Sequence, residues 1–226
     1  MFYDLIIVSQ SLKELIPVTQ QCIDTARRDT KDINVIVVET GEPYQYKGMD
    51  QQVMYSDSFN YNRALNLGLQ HVKGDIHILA NNDIIFHDGW SRIGDMMKAN
   101  GYHSASAKAW HLTMFEDGDH IYEGYNVGYS LTGWCLFVDR YCISQIGKLD
   151  EAVSFWYSDN LYAHQIEEKG IKPAIFCNVR VDHLCSKTPT KQPARLQRQY
   201  QNGELHKYII RQRHYGTRKK FNKANT

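Results

Sequence analysis

Two stretches, YDLIIVS at residues 3–9 and INVIVVE at residues 33–39, are apolar along nearly their whole length, rich in β-branched residues, and end on a polar side chain. A strand with no polar face has to be covered on both sides, which is the situation of a strand inside a parallel sheet clothed by helices. Between them, residues 11–28 set Leu12, Leu15, Ile16, Thr19 and Ile23 along one side of a helix. The unit reads as β-α-β and restricts the chain to an α/β architecture.

The alternation continues. A loop over 41–58, rich in Gly, Gln, Tyr and Asp, is followed by a helix over 60–72 that stops at Lys73-Gly74, a strand over 76–80 and a helix over 89–99. Beyond residue 101 the pattern loosens into short strands and glycine turns over 102–129. A strand over 131–138, helices over 139–146 and 158–169, and a strand over 172–181 follow. With 226 residues, no internal repeat and no low-complexity linker, one domain is the simplest organisation. The expected fold is a doubly wound α/β domain over residues 1–188, mostly parallel at its centre with helices on both faces, whose residues 1–100 form a nucleotide-binding half.

Composition narrows the setting. No apolar run is long enough to span a membrane, and Met1-Phe2-Tyr3-Asp4 does not begin a leader, so the expected location is cytoplasmic. Five scattered cysteines without a C-x-x-C pair read as reduced, buried thiols. Net charge is only +1, yet from Ser186 onward eleven Lys and Arg accompany a single acid, Glu204, for a local +10; residues 1–185 hold 15 basic and 24 acidic residues, or −9. The chain therefore reads as an acidic body with a basic helical C-terminal extension over residues 189–226. Such a segment either meets an anionic partner, DNA or an anionic membrane surface, or packs back on the body. Tyr200, Tyr208, Tyr215 and Phe221 interleave its charges, which suits phosphate contact with base stacking.

In an open parallel sheet, ligands bind outside the carboxyl ends of the strands. Ser9-Gln10, Glu39-Thr40 and Asn81-Asn82-Asp83 converge there. An aspartate at that edge can coordinate a hard divalent cation that bridges a diphosphate, although Asn-Asn-Asp by itself is also good turn chemistry.

The segment ALNLGLQHVKGDIHILANNDIIFHDGW resembles the part of family-2 glycosyltransferases of the GT-A fold in which an Asn-x-Gly helix leads through Gly-Asp into an apolar strand ending in D-x-D. Asn66, Gly68, Gly74 and Asp75 match, and Asn81-Asn82-Asp83 stands at D-x-D with Asn81 in place of the first acid. Downstream, LTGWCLFVDRYCISQIGKLDEAVSFWYSDNLYAHQIEEKGIKPAIFCNVRVDHLCSKT is similar to the family's second half. Gly133, Gly147, Asp150, Glu151, Asp159, His183, Ser186 and Thr188 fall in register, and the likeness spans roughly residues 3–188. Ser158 stands where the family has the first acid of a Glu-Asp pair.

The resemblance implies an inverting transferase that moves a sugar from a nucleoside diphosphate donor, UDP foremost, to a hydroxyl acceptor with Mn²⁺ or Mg²⁺. It makes residues 101–188 the acceptor-binding half. Asp159 would be the general base, with helix capping as its alternative role, and Asp83 and His183 would hold the metal. Ser9, Gln10, Glu39, Asn66, Asn81, Asn82 and Asp83 would bind the nucleotide sugar, and Gly133 and Trp134 the acceptor. Combined with the basic extension, the acceptor is either a modified DNA base, as for bacteriophage DNA-modifying enzymes of this kind, or a cell-surface or lipid-linked glycan. A competing reading is a nucleic-acid-binding module on an inactive scaffold, for which deletion after Thr188 should abolish function, whereas the enzyme should keep donor hydrolysis. A sugar-nucleotide pyrophosphorylase is weaker, since VSQSLKEL offers no glycine-rich loop.

Overall fold

The computed structural model describes residues 1–184 and 194–224. Cys185, Ser186 and Thr188 lie outside that range. The elements run β1 (Tyr3–Ser9), α1 (Ile16–Asp29), β2 (Ile33–Glu39), β3 (Gln51–Met54), α2 (Tyr61–Gly68), β4 (Ile76–Asn81), β5 (Ile84–Phe86), α3 (Ile93–Asn100), β6 (Ser104–Lys108), β7 (Ile121–Glu123), β8 (Cys135–Asp139), α4 (Arg140–Ile146), α5 (Ser158–Glu168), β9 (Pro173–His183) and α6 (Ala194–Ala224).

The sheet order is β3-β2-β1-β4-β8-β6-β9-β5, with β7 also on β9. The half containing β3, β2, β1 and β4 is parallel, as expected. The second half is mixed: β8 runs antiparallel to β4 and β6, β9 is parallel to β6, and β5 and β7 are antiparallel to β9. Tyr3, Leu5 and Ile7 pack with Cys22, Ile23 and Ala26 of α1 and Ile93 and Met97 of α3. Ile6 and Val8 pack with Ala64 and Leu65 of α2 and Tyr162 and Ile166 of α5. Period-two alternation thus sends one strand into two helix layers, which is why β1 has no polar face. The chain leaves β1 towards β2 over one layer and reaches β4 over the other, so the carboxyl ends of β1 and β4 form the switch point of the sheet. Cys22, Cys135, Cys142 and Cys177 are free and buried.

Element boundaries differ where local chemistry intervenes. α1 begins at Ile16 because Pro17 belongs in a first helical turn, where its missing N–H costs nothing. The Asn60 side chain accepts from Arg63 N at 3.0 Å and caps α2. α2 ends at Gly68, where a Cβ would lie 2.4 Å from Ile6 Cγ2, so only glycine lets the helix sit on β1. β3 was expected to be loop; its sequence QQVM has no apolar face, and pairing with β2 makes it a strand. α5 starts one residue after Tyr157, the single non-glycine residue with a left-handed backbone among those described (φ 68°), and no side chain caps it. The capping role considered for Asp159 is therefore not the one it takes.

The C-terminal helix packs back on the body. Glu204, the one acid of the basic segment, is 1% exposed. Its Oε2 accepts from the amides of Ser154 and of Phe155 (3.0 Å), and its Oε1 from Lys207 Nζ at 2.8 Å. Tyr208 stacks on Tyr157 at 5.1 Å and 12°, and Arg211 and Tyr215 bond Asp150 Oδ2. Deleting everything after Thr188 would strip these supports from residues 150–157, so that deletion does not separate enzyme from binding module as the sequence led one to expect. Glu204→Ala leaves two amides without their acceptor, and a loss of about 1–3 kcal/mol is expected in urea unfolding.

Candidate active site

A cleft of about 450 Å³ opens at the switch point, lined by Val8, Ser9, Gln10, Thr40, Asn81 and Asn82 from the carboxyl ends of β1, β2 and β4, and by Tyr55, Phe59, Tyr61 and Phe155 opposite. A larger cleft, about 510 Å³, lies around Asp150, Glu151, Gln165 and Arg211. Its lining comes from α4, the loop after it, the end of α5 and α6, with no strand residue.

Asp83 and His183 meet at this edge, although 100 positions separate them in sequence. The antiparallel pairing of β5 with β9 sets Ile84 opposite His183, and Leu184 N donates to the Asp83 carbonyl at 3.0 Å. The His183 Nε2 lies 3.1 Å from Asp83 Oδ1 and 3.4 Å from Asn81 Nδ2. Two donors in adjacent positions of an octahedral cation, each about 2.1 Å from it, stand about 3 Å apart, so the pair fits a Mg²⁺- or Mn²⁺-sized ion. No group of three or more His, Cys, Asp or Glu suited to a metal occurs among the described residues. Such an ion would therefore take its other ligands from water and phosphate oxygens, the usual habit of hard divalent cations at nucleotide sites.

Gly133 and Trp134 join this pair to Asp159. The Trp134 ring stacks on the His183 imidazole at 5.3 Å and 13°, and its carbonyl accepts from Asn81 N at 2.9 Å. The neighbouring Gly133 lies against Asp159 so closely that a Cβ would fall 2.2 Å from Asp159 Cβ and 2.5 Å from its Oδ2. Asp159 Oδ1 accepts from Asn160 N at 2.9 Å. The residue is half-buried, and burial raises its pKa above the ordinary aspartate value. Gly133→Ala is expected to displace Asp159 and to cost about 1–3 kcal/mol from overpacking, measured as a lower urea midpoint.

Several residues expected at the nucleotide are engaged elsewhere. Glu39 is fully buried; its Oε1 accepts from Ser11 N and Gly41 N at 2.8 Å each, so the carboxylate braces the two loops behind the cleft wall. Asn66 bonds Leu149 O and Glu151 Oε1 at 2.9 Å each and accepts from Leu149 N at 2.8 Å. With Asn60 and Asn62, which bond the carbonyls of Glu151, Val153 and Asp150, it ties α2 to the loop that leads to Asp159. Ser9 and Gln10 line the cleft, but the Ser9 carbonyl accepts from Thr40 N at 2.9 Å and its Oγ turns inward to Thr19 and Tyr46. Asn82 donates to Thr19 Oγ1 at 3.1 Å. Trp134, expected as the acceptor floor, stacks on His183. The sequence reading missed the aromatic wall and His111, whose ring meets Trp134 edge-on at 5.8 Å. Aromatic side chains in a loop carry no spacing signal that would mark them.

By sequence, no family model and no curated protein matches. By structure, the chain superposes on GalNAc-T7, solved with UDP, GalNAc and Mn²⁺, with a TM-score of 0.63 and 10% identity, over 81% of this chain and 44% of that one. It superposes on the mannosyltransferase PcManGT from Pyrobaculum calidifontis, solved with GDP-Man and Mn²⁺, with a TM-score of 0.65 and 12% identity, over 92% of this chain and 63% of that one. The fold is GT-A. The chain spans less than two thirds of the length of either structure. Within this GT-A fold the parallel half of the sheet supplies the cleft and the mixed half supplies Gly133, Trp134, Asp159 and His183. No helix among the described residues is long and apolar enough to cross a membrane.

Proposed function

We propose that the protein is a metal-dependent glycosyltransferase that moves a sugar from a nucleoside diphosphate, UDP foremost, to a hydroxyl acceptor with inversion. The observation that carries this reading is the bridge Gly133-Trp134, which touches the carboxylate of Asp159 on one side and the imidazole paired with Asp83 on the other. The nucleoside occupies the cleft beside Val8, Gln10 and Thr40, with Phe59 and Phe155 offering apolar surface. Asp83 and His183 hold the cation, Mn²⁺ or Mg²⁺, with Asn81 beside them; when bound, it neutralises the charge that develops on the departing diphosphate. Asp159, with its raised proton affinity, takes the proton from the acceptor hydroxyl as that oxygen attacks the anomeric carbon from the face opposite the leaving group.

The +10 charge of residues 186–226 favours an acceptor on an anionic carrier, DNA ahead of an anionic membrane surface. Part of that charge is spent internally, in the Arg211–Asp150 and Lys207–Glu204 pairs. The test is release of nucleoside diphosphate from a panel of sugar nucleotides with Mn²⁺, with and without hydroxymethylated DNA. Metal-dependent release supports glycosyl transfer, and stimulation by the DNA assigns the acceptor class. Absence of turnover of any sugar nucleotide, combined with tight DNA binding, would favour the binding module on an inactive scaffold.

A further inference from the structure

Tyr61, the first residue of α2, lines the cleft and is 6% exposed. Its ring is fixed edge-on to Phe155, with centroids 5.8 Å apart at 86°, and its amide donates to the Ser154 carbonyl at 2.7 Å. The hydroxyl itself is buried and has no hydrogen-bond partner among the described residues. Buried hydroxyls are ordinarily bonded, and one left open in an otherwise well-satisfied structure calls for a reason. Thr132 Oγ1, in the residue before Gly133, is orphaned in the same way.

Resting on the glycosyl-transfer reading above, we infer that the Tyr61 hydroxyl is a specificity contact for the transferred sugar, bonding one of its hydroxyls. Tyr61 lines the cleft with Asn81 and Asn82, which precede Asp83, and its neighbour Asn62 donates to the carbonyl of Ser158, which precedes Asp159. Burial, with Cys135, Asp83 and Asp159 nearby, keeps the phenol protonated. A neutral O–H that both donates and accepts matches a sugar hydroxyl. The ring is held by packing alone, so the hydroxyl is pre-positioned and the bond forms without ordering a side chain.

Tyr61→Phe keeps the ring and removes only the oxygen. The experiment compares wild type and variant by titration calorimetry with Mn²⁺ and, in turn, UDP, GDP, UDP-glucose, UDP-N-acetylglucosamine and GDP-mannose, and by thermal unfolding without ligand. For the sugar nucleotide that the wild type binds, Kd of the variant is expected to rise about tenfold, with Kd for the parent nucleotide unchanged within about twofold. The Tm of the unliganded variant is expected to equal or exceed that of the wild type, because deleting an unbonded buried hydroxyl removes a burial cost. Equal Kd values for the sugar nucleotide overturn the inference and leave glycosyl transfer standing. Equal weakening of nucleotide and sugar nucleotide also overturns it, as does a lowered Tm, which would reveal a structural partner. If the wild type binds no sugar nucleotide, the glycosyl-transfer reading fails and the inference falls with it.

Discussion

Asp159→Asn is expected to lower kcat for transfer about 10²- to 10⁴-fold, the range of a single general base, with KM for the donor little changed. Asparagine keeps an oxygen for the Asn160 amide and nearly the same volume beside Gly133, so the substitution removes the proton acceptor and little else. Stability should move the opposite way. Burial raises the Asp159 pKa, so the folded protein holds that proton more tightly than the unfolded chain does. The resulting stability is fully present below the ordinary carboxylate range and is lost as pH rises through the raised value. An asparagine carries no charge to desolvate; the variant should therefore melt at or above the wild-type temperature at neutral pH, and the two should converge in acid. Wild-type kcat should climb with pH through the same ionisation, and the residual activity of the variant should lack that limb. Thermal melts and a kcat–pH profile check both halves. A variant that is inactive and clearly less stable at neutral pH would point to a structural carboxylate.

Asp83→Asn should be the other severe change. Asp83 is 3% exposed, and its Oδ1 is 3.1 Å from His183 Nε2. Asparagine can keep that contact and the shape of the turn, but the turn Asn81-Asn82-Asp83 would then hold no carboxylate. Losing support around a metal ligand costs about 10- to 100-fold in metal affinity; losing the ligand's charge should exceed the upper figure, seen as a rise in the Mn²⁺ concentration for half-maximal activity. Trp134→Ala should fall within the smaller range, since it removes only the ring stacked on His183. If Asp83→Asn and wild type shared one Mn²⁺ dependence, the metal site would be elsewhere.

The strands β1 and β2 were legible because each is a self-contained apolar run whose covering on both faces is dictated by its own residues. β3 and β5 were not: QQVM and IIF become strands only because β2 and β9 offer them an edge. The meeting of Asp83 with His183 followed from the order of motifs along the chain; no local pattern contains it. Glu39 and Asn66 show where such reasoning stops. A polar residue at a strand end or helix face reads the same whether it faces a ligand or ties down a loop, and here Ser11, Gly41, Leu149 and Glu151 claim both side chains. The buried Glu204 in a basic helix was likewise invisible as a brace, because its partners, the amides of Ser154 and Phe155, carry no side-chain signal.

The central claim is that Asp83 and His183 share one divalent cation at the carboxyl edge of the sheet, next to a nucleotide. Anomalous diffraction at the manganese edge from crystals grown with MnCl₂ and UDP tests it most directly. The account predicts one strong peak bonded to a carboxylate oxygen of Asp83 and to Nε2 of His183, with UDP in the cleft beside Gln10 and Thr40. UDP bound in that cleft with no manganese on these two side chains, or with the ion on other residues, would contradict it.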